Sequence, residues 1–249
     1  MIPSRREFLK IAGATTLSLI VPGLVVPSWA KEKTPALKAK RWAMAVDSAK
    51  CPPGCVDCII ACHETHNVPD FGNPKDEIKW IWKEPFTSAF SDESHPRLRE
   101  SIQKNRLPIL CNHCANPPCV RVCPTKATFQ RPDGIVMMDY HRCIGCRFCM
   151  AACPYGARSM NYREPRPFLK KINQDFPTRT KGVVEKCNFC EERLVRGLLP
   201  ACVTACKKKA LVFGDTENHQ SEIRQHLGNN FTLLRRPALG TKPQVYYIV

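Results

Sequence analysis

After one uncharged stretch at residues 11–30, the sequence has no long apolar run. Nothing later approaches the roughly 20 consecutive apolar residues of a spanning helix, which excludes a polytopic membrane protein. Acidic residues are scarce, 22 against 38 Lys and Arg, for a formal net charge of +16. The basic residues are spread along the chain instead of forming one stripe with aromatic platforms, so nucleic acid is not the expected partner. There is no Walker loop, no dinucleotide glycine motif, no Ser-His-Asp set and no plausible pair of acids, hence no visible catalytic apparatus. The Cys-x2-Cys-His signature of covalent haem is missing too, because Cys58-x3-Cys62-His63 is one residue too long. What the chain does have is 16 cysteines and 22 prolines in 249 residues, with 43% apolar residues, enough for a real core.

The first thirty residues read as an address. A charged start, Ser4-Arg5-Arg6-Glu7-Phe8-Leu9-Lys10, precedes the uncharged stretch and is similar to the twin-arginine export signal, a receptor-read address. Ser28 and Ala30 suit cleavage after Ala30, and Gly13, Pro22, Gly23 and Pro27 weaken a membrane helix; twenty uncharged residues nevertheless leave a retained anchor open. The expected location is periplasmic or on the outer face of the cytoplasmic membrane. Thiols in an oxidising compartment would ordinarily mean disulfides. Export in the folded state suits a protein whose cofactor is inserted beforehand.

The cysteines fall into four quartets with none left over: Cys51-x3-Cys55-x2-Cys58-x3-Cys62, Cys111-x2-Cys114-x4-Cys119-x3-Cys123, Cys143-x2-Cys146-x2-Cys149-x3-Cys153 and Cys187-x2-Cys190-x11-Cys202-x3-Cys206. The third, with Pro154, matches the bacterial ferredoxin pattern for a [4Fe-4S] cluster, and the others vary it. The quartet ends repeat internally, as Cys119-Val-Arg-Val-Cys123-Pro-Thr-Lys-Ala127, Cys149-Met-Ala-Ala-Cys153-Pro-Tyr-Gly-Ala157 and Cys202-Val-Thr-Ala-Cys206-Lys-Lys-Lys-Ala210; Cys58-Ile-Ile-Ala-Cys62 joins them without the later Ala. Three closely spaced thiolates wrap three corners of a cube, and the fourth, having turned away, caps the other cluster of a pair. Soft thiolates are what such iron prefers. All sixteen are therefore candidate ligands, for four [4Fe-4S] clusters in two ferredoxin-like pairs. Structural zinc uses two pairs of ligands, so runs of three plus one are the wrong grammar. Residues three apart on a tight loop also make poor disulfide partners. Four oxidised clusters would bring about −8 in all, offsetting about half of the formal charge.

Between the quartets, residues 40–47 and Ile135–Asp139 alternate like short strands, the latter closing a hairpin with Ala127–Phe129 across the turn Arg131-Pro-Asp-Gly134. Ala210–Phe213 and Val245–Val249 are further strand candidates, and residues 217–227 are expected to form a surface helix ended by Gly228. Residues 67–106 hold no cysteine and read as an inserted subdomain or partner-facing flap, with plain packing equally open; Trp80 and Trp82 would share one strand face. The proline-rich, basic residues 163–180 are expected to form an extended connector. His63, His113 and His141 sit in or beside cysteine loops, as hydrogen-bond donors to a cluster's surroundings or as surface residues, since every quartet is already complete.

These motifs resemble the four-cluster, ferredoxin-like electron-transfer subunits of membrane-bound respiratory oxidoreductases, the DmsB/NrfC/PsrB type. Within it the chain is most similar to the exported DsrO-type subunits of DsrMKJOP complexes of sulfur-metabolising microbes. Gly-Ile-Val-Met-Met-Asp-Tyr-His-Arg-Cys143, Cys153-Pro-Tyr-Gly-Ala-Arg-Ser159, Gly182-Val-Val-Glu-Lys-Cys187-Asn-Phe-Cys190 and the terminal Tyr-Tyr-Ile-Val249 carry that similarity. The resemblance implies an α+β fold of two ferredoxin-like cluster-binding domains, the first and fourth cysteine motifs enclosing the second and third. An outer domain would span 31–66 and 181–249, and an inner one 107–162. Nested pairing would follow: Cys111, Cys114 and Cys119 with Cys153; Cys143, Cys146 and Cys149 with Cys123; Cys51, Cys55 and Cys58 with Cys206; Cys187, Cys190 and Cys202 with Cys62. The extra residue in Cys51-Pro-Pro-Gly-Cys55 makes that cluster the candidate for a [3Fe-4S] or labile site. The implied partners are a quinone-interacting NrfD-type integral membrane subunit, a multihaem cytochrome c and further membrane and cytoplasmic subunits of a Dsr-type complex. The competing readings are the iron-sulfur subunit of a molybdopterin reductase for polysulfide, tetrathionate or dimethyl sulfoxide, and, from another class, a zinc-stabilised exported binding module.

Overall fold

Strand β1 (Trp42–Asp47) is buried along its whole length, and its alternation sorts two different interiors. Trp42, Met44 and Val46 face the main core with Phe213, Val245 and Tyr247, while the small Ala43 and Ala45 face a second cluster with Val212, Ile223 and Ile248. Period-two alternation of large and small side chains suits a strand covered on both faces. The sheet order is β8 (Leu211–Asp215), β1, β10 (Val245–Ile248), β9 (Thr232–Leu234); β1 pairs antiparallel with β8 and parallel with β10. The computed structural model describes residues 34–95 and 97–249, so the targeting segment at residues 1–30 lies outside the described residues.

Three two-stranded ribbons complete the mixed α/β architecture: β2 (Ile81–Pro85) with β3 (Arg106–Leu110), β4 (Thr128–Gln130) with β5 (Val136–Met138), and β6 (Ser159–Met160) with β7 (Val184–Glu185). The β4–β5 hairpin turns where the sequence sets Arg131-Pro-Asp-Gly134, and Gly134 sits at φ +86°, a conformation that glycine adopts without a side-chain clash. Residues 67–106 contribute Ile78, Trp80, Ile81, Trp82, Phe86 and Phe90 to the core shared with β1. Trp80 lies just ahead of β2, and both tryptophans are buried.

The helices are short: α1 (Asp57–Thr65), α2 (Phe86–Ala89), α3 (Glu100–Lys104), α4 (Pro118–Arg121), α5 (Phe148–Ala151), α6 (Glu191–Leu194), α7 (Ala201–Ala205) and α8 (Glu222–Asn229). The helix expected at 217–227 starts later and passes through Gly228. Asn218 Oδ1 accepts the Gln220 N–H at 3.0 Å and holds a turn, until the Ser221 hydroxyl accepts from the Arg224 N–H at 3.4 Å and caps the first helical turn. Its far end closes at Asn230, whose Nδ2 donates to His226 O at 2.9 Å. Residues 163–180 include a 3-10 turn at Arg166–Phe168 and bury Phe176 and Arg179. Among the described residues, no helix is long and apolar enough to cross a membrane.

Candidate metal centres

Every quartet sets its third cysteine in a short helix, and these helices pack in pairs, α1 against α7 and α4 against α5. The first and fourth motifs thus meet each other, as do the second and third. None of the sixteen cysteines is in a disulfide. Three Cys-x2-Cys loops share one backbone device. The residue just before the second cysteine is left-handed in each: His113 at φ 40°, Gly145 at φ 67° and Phe189 at φ 55°. Such turns aim successive amide N–H groups inward and make a concave anion-binding surface. For His113 and Phe189 the conformation costs on the order of 1–3 kcal/mol, offset here by stacking of the two rings at 3.7 Å.

Four groups of thiols result. Cys111, Cys114, Cys119 and Cys153 line one cavity with Tyr155 and Arg158, and Cys123, Cys143, Cys146 and Cys149 line another with Gly145 and Arg147. Around Cys58, burial and the neighbouring thiols Cys51, Cys206 and Cys55 push the thiol up to about 11. Cys62 is pushed well above its ordinary value by burial and by Cys190, Cys187 and Cys202. Burial, with Cys111 next in weight, raises both Cys114 and Cys187 to about 12. A sulfur-only donor set at four corners suits an iron-sulfur cube and gives a tetrahedral zinc site no reason for four such groups. Amides complete the surroundings. Ala201 N–H donates to Cys190 Sγ at 3.3 Å, Phe189 N–H to Cys187 Sγ at 3.4 Å and Ala210 N–H to Cys206 Sγ at 3.2 Å.

Buried polar groups thread between the thiols. Arg179 and Glu185 form an ion pair at 2.5 Å with both side chains inaccessible, and Trp80 Nε1 donates to the same carboxylate at 2.9 Å. Arg179 also donates to Asn67 O at 2.8 Å and to His66 O, which pins the connector to the end of α1. His66, one helical turn past Cys62, stacks on Trp80 at 4.3 Å and shares its ring nitrogens between Cys62 O and Glu192. His66, Cys190 and Glu192 lie within metal-binding distance of one another. Both nitrogens of His66 are nevertheless already engaged. His113 accepts the Val136 N–H on Nδ1 at 3.1 Å, so it is an acceptor and a stacking partner, whereas His141 is exposed. Burial lowers His63 to about 4.

Residues 102–170 and 142–211 each match the family described as a 4Fe-4S dicluster domain. The chain is 40% identical to the Hdr-like menaquinol oxidoreductase iron-sulfur subunit 1 of Archaeoglobus fulgidus, over 98% of this chain and 97% of that protein. It is 34% identical to a subunit of the tetrathionate reductase of Salmonella typhimurium, over 100% and 89%, and 36% identical to the protein NrfC of Escherichia coli, over 98% and 95%. The chain belongs to the iron-sulfur electron-transfer subunits of respiratory oxidoreductases. Sixteen cysteines in a member of this family correspond to four [4Fe-4S] clusters. The clusters supply one-electron chemistry; the protein supplies spacing, burial and the hydrogen bonds that set each potential. Sequence motifs had picked out the cysteines but no role for His66, Arg158, Arg179, Glu185, Lys186 or Glu192. Only Arg158 and Lys186 carried a local hint, as neighbours of Cys153-Pro and Cys187.

Proposed function

We propose that this subunit is a wire on the outer face of the cytoplasmic membrane, reached by the twin-arginine route, passing electrons between a quinone-interacting NrfD-type membrane subunit and a multihaem cytochrome in dissimilatory sulfur metabolism. Its sites would be Cys51, Cys55, Cys58 and Cys206; Cys187, Cys190, Cys202 and Cys62; Cys111, Cys114, Cys119 and Cys153; and Cys143, Cys146, Cys149 and Cys123, in that order. The order is supported above all by how the thiol groups adjoin. Cys58 and Cys62 lie one turn apart on α1, Cys111 is the thiol weighing most on Cys187, and Cys119 is the thiol weighing most on Cys149. The outer and inner ferredoxin-like units, with 67–106 inserted and 163–180 connecting them, follow from the same nesting. A menaquinol-linked complex is favoured because the Archaeoglobus relative is similar along 97% of its own length. The tetrathionate reductase relative keeps a molybdopterin reductase as the second reading.

The test is anaerobic purification from native membranes through a C-terminal tag, with partners, iron, haem and molybdenum measured together. About sixteen irons per chain, an NrfD-type partner, a multihaem cytochrome and no molybdenum are expected. A molybdopterin subunit would move the protein to the reductase branch, and zinc without acid-labile sulfide would remove the wire altogether.

A further inference from the structure

Two buried cations in this molecule have no carboxylate partner among the described residues. Arg179 is answered by Glu185 and Arg235 by Glu84, but Arg158, 5% exposed, and Lys186, 1% exposed, are in no ion pair. Arg158 Nη2 donates to Cys119 Sγ at 3.1 Å and to Thr128 Oγ1 at 2.7 Å, and its Nη1 faces Met138 Sδ at 3.7 Å. The Lys186 ammonium donates to Cys187 O at 2.6 Å and to Val136 O. An unanswered buried charge is strongly destabilising, so each of these must find its counter-ion elsewhere. Two thiols, Cys111 and Cys119, weigh on both cations. Arg158 also faces Cys149 of the neighbouring group, and Lys83 at the first motif faces Cys51 while its ammonium donates to Pro52 O at 2.8 Å and Pro53 O at 3.2 Å, whereas Phe189, Ala201 and Ala210 offer their sulfurs only neutral amides.

We infer that Arg158, with Lys186 behind it, makes the site of Cys111, Cys114, Cys119 and Cys153 the most easily reduced of the four, where an electron on the wire comes to rest. This deepens the proposed wire and rests on that assignment of thiols. Reduction of a cluster by one electron from its neighbour adds one negative charge and needs no proton. A fixed cation hydrogen-bonded to a ligand sulfur in a low-dielectric interior favours that added charge and raises the potential.

The experiment is a redox titration of the full-length, cluster-loaded protein followed by electron paramagnetic resonance. In the unsubstituted protein one cluster is reduced first as the potential falls, and Cys119→Ser alters that signal. In Arg158→Met the same signal loses its lead, the neighbouring site that includes Cys149 shifts by less, the two remaining midpoints stay in place, and Arg158→Lys restores part of the lead. Four midpoints unchanged in Arg158→Met at full iron content, or a larger shift in a signal that Cys119→Ser does not touch than in the one it does, would overturn the inference. If Arg158→Met loses iron, Lys186→Met and Thr128→Val are read in the same way, and unchanged midpoints in both overturn it. Iron and acid-labile sulfide in the unsubstituted protein judge the cluster assignment separately; their absence defeats the wire itself, and Arg158 with it.

Discussion

The middle of the proposed wire and its two ends are built differently. Of the eight cysteines in the two central groups, seven are buried, Cys153 being the exception; in the terminal groups only Cys51, Cys58 and Cys149 are, and Cys55, Cys206, Cys123, Cys143 and Cys146 are half-buried. Beside the third motif, Ile144 and Phe148 stand 67% and 59% exposed, and beside the first, Val56 and Ile60 stand 44% and 50% exposed. The centre is walled by a charged and hydrogen-bonded network, whereas the ends offer thin, partly apolar cover. Burial protects a cluster and lowers its dielectric surroundings, and thin cover shortens the path to another protein's cofactor. The contrast therefore reads as insulation in the middle and access at both ends.

The largest expected effect strikes the central wall. Glu185→Ala leaves Arg179 buried without its partner and strips Trp80 and Asn161 of an acceptor. Losing one member of such a pair costs about 3–5 kcal/mol, visible as a lower denaturant midpoint of the loaded protein. The exposed pair Lys104–Glu100 supplies the contrast, and Glu100→Ala should leave the midpoint unchanged. Equal effects from the two substitutions would erase the distinction between wall and rim.

A smaller and more local effect belongs to Gly145 in the third motif. A Cβ there would lie 2.4 Å from the Gly182 carbonyl oxygen, at a φ of +67°. Gly145→Ala should cost on the order of 1–3 kcal/mol of local strain and disturb the terminal cluster of Cys143, Cys146, Cys149 and Cys123 while the three others keep their spectra. Loss of all four signals would show that the ends are not independent of the centre.

Lability should follow the same division. Mild oxidation with a chelator present should remove iron from the terminal clusters first, and the loop Cys51-Pro-Pro-Gly-Cys55, one residue longer than its counterparts, should yield a [3Fe-4S] signal before any other. Early loss from the group of Cys187, Cys190, Cys202 and Cys62 would reverse the reading of the middle as insulated.

How much of this was legible in the sequence depends on the range of the interaction. Strands β1, β5, β8 and β10 were visible because alternation and flanking turns are local, and the Arg131-Pro-Asp-Gly134 turn forces its hairpin. Helix α8 begins later than its pattern suggests because an Asn218 turn, and not propensity, decides where it starts. The cysteines declared the metal through spacing. Their second surroundings did not declare themselves, since Arg179 meets His66 and Asn67 across more than a hundred residues and Arg158 meets Cys119 across 39. Nothing in a local window distinguishes Arg179 from the many exposed arginines, and Arg158 shows only its nearness to Cys153. The left-handed residue before the second cysteine was equally hidden, because only Gly145 of the three announces it by type.

The smallest expected effect compares single thiols of the cluster-free chain. At the end of the wire, burial alone would raise Cys123, but N–H groups of Thr128, Thr125 and Ala127 and the Thr125 hydroxyl outweigh it, and the thiol falls below its ordinary value. In the centre, burial and neighbouring thiols hold Cys114 and Cys187 at about 12. The thiolate is the reacting form, so at pH 8 an alkylating reagent should modify Cys123 well before Cys114 or Cys187, as peptide mass spectrometry would read. The sign for stability follows from the same shifts. A thiol whose folded value lies above its unfolded one favours the folded chain below the unfolded value, and that contribution is lost as the pH rises through the folded value. The cluster-free chain should thus weaken from about pH 9 towards pH 12, while the loaded protein, whose ligand thiols gave up their protons on loading, should not share that decline. Equal labelling of Cys123 and Cys187 at pH 8 would place both thiols in the same surroundings and remove the difference between end and centre at the level of a single sulfur atom.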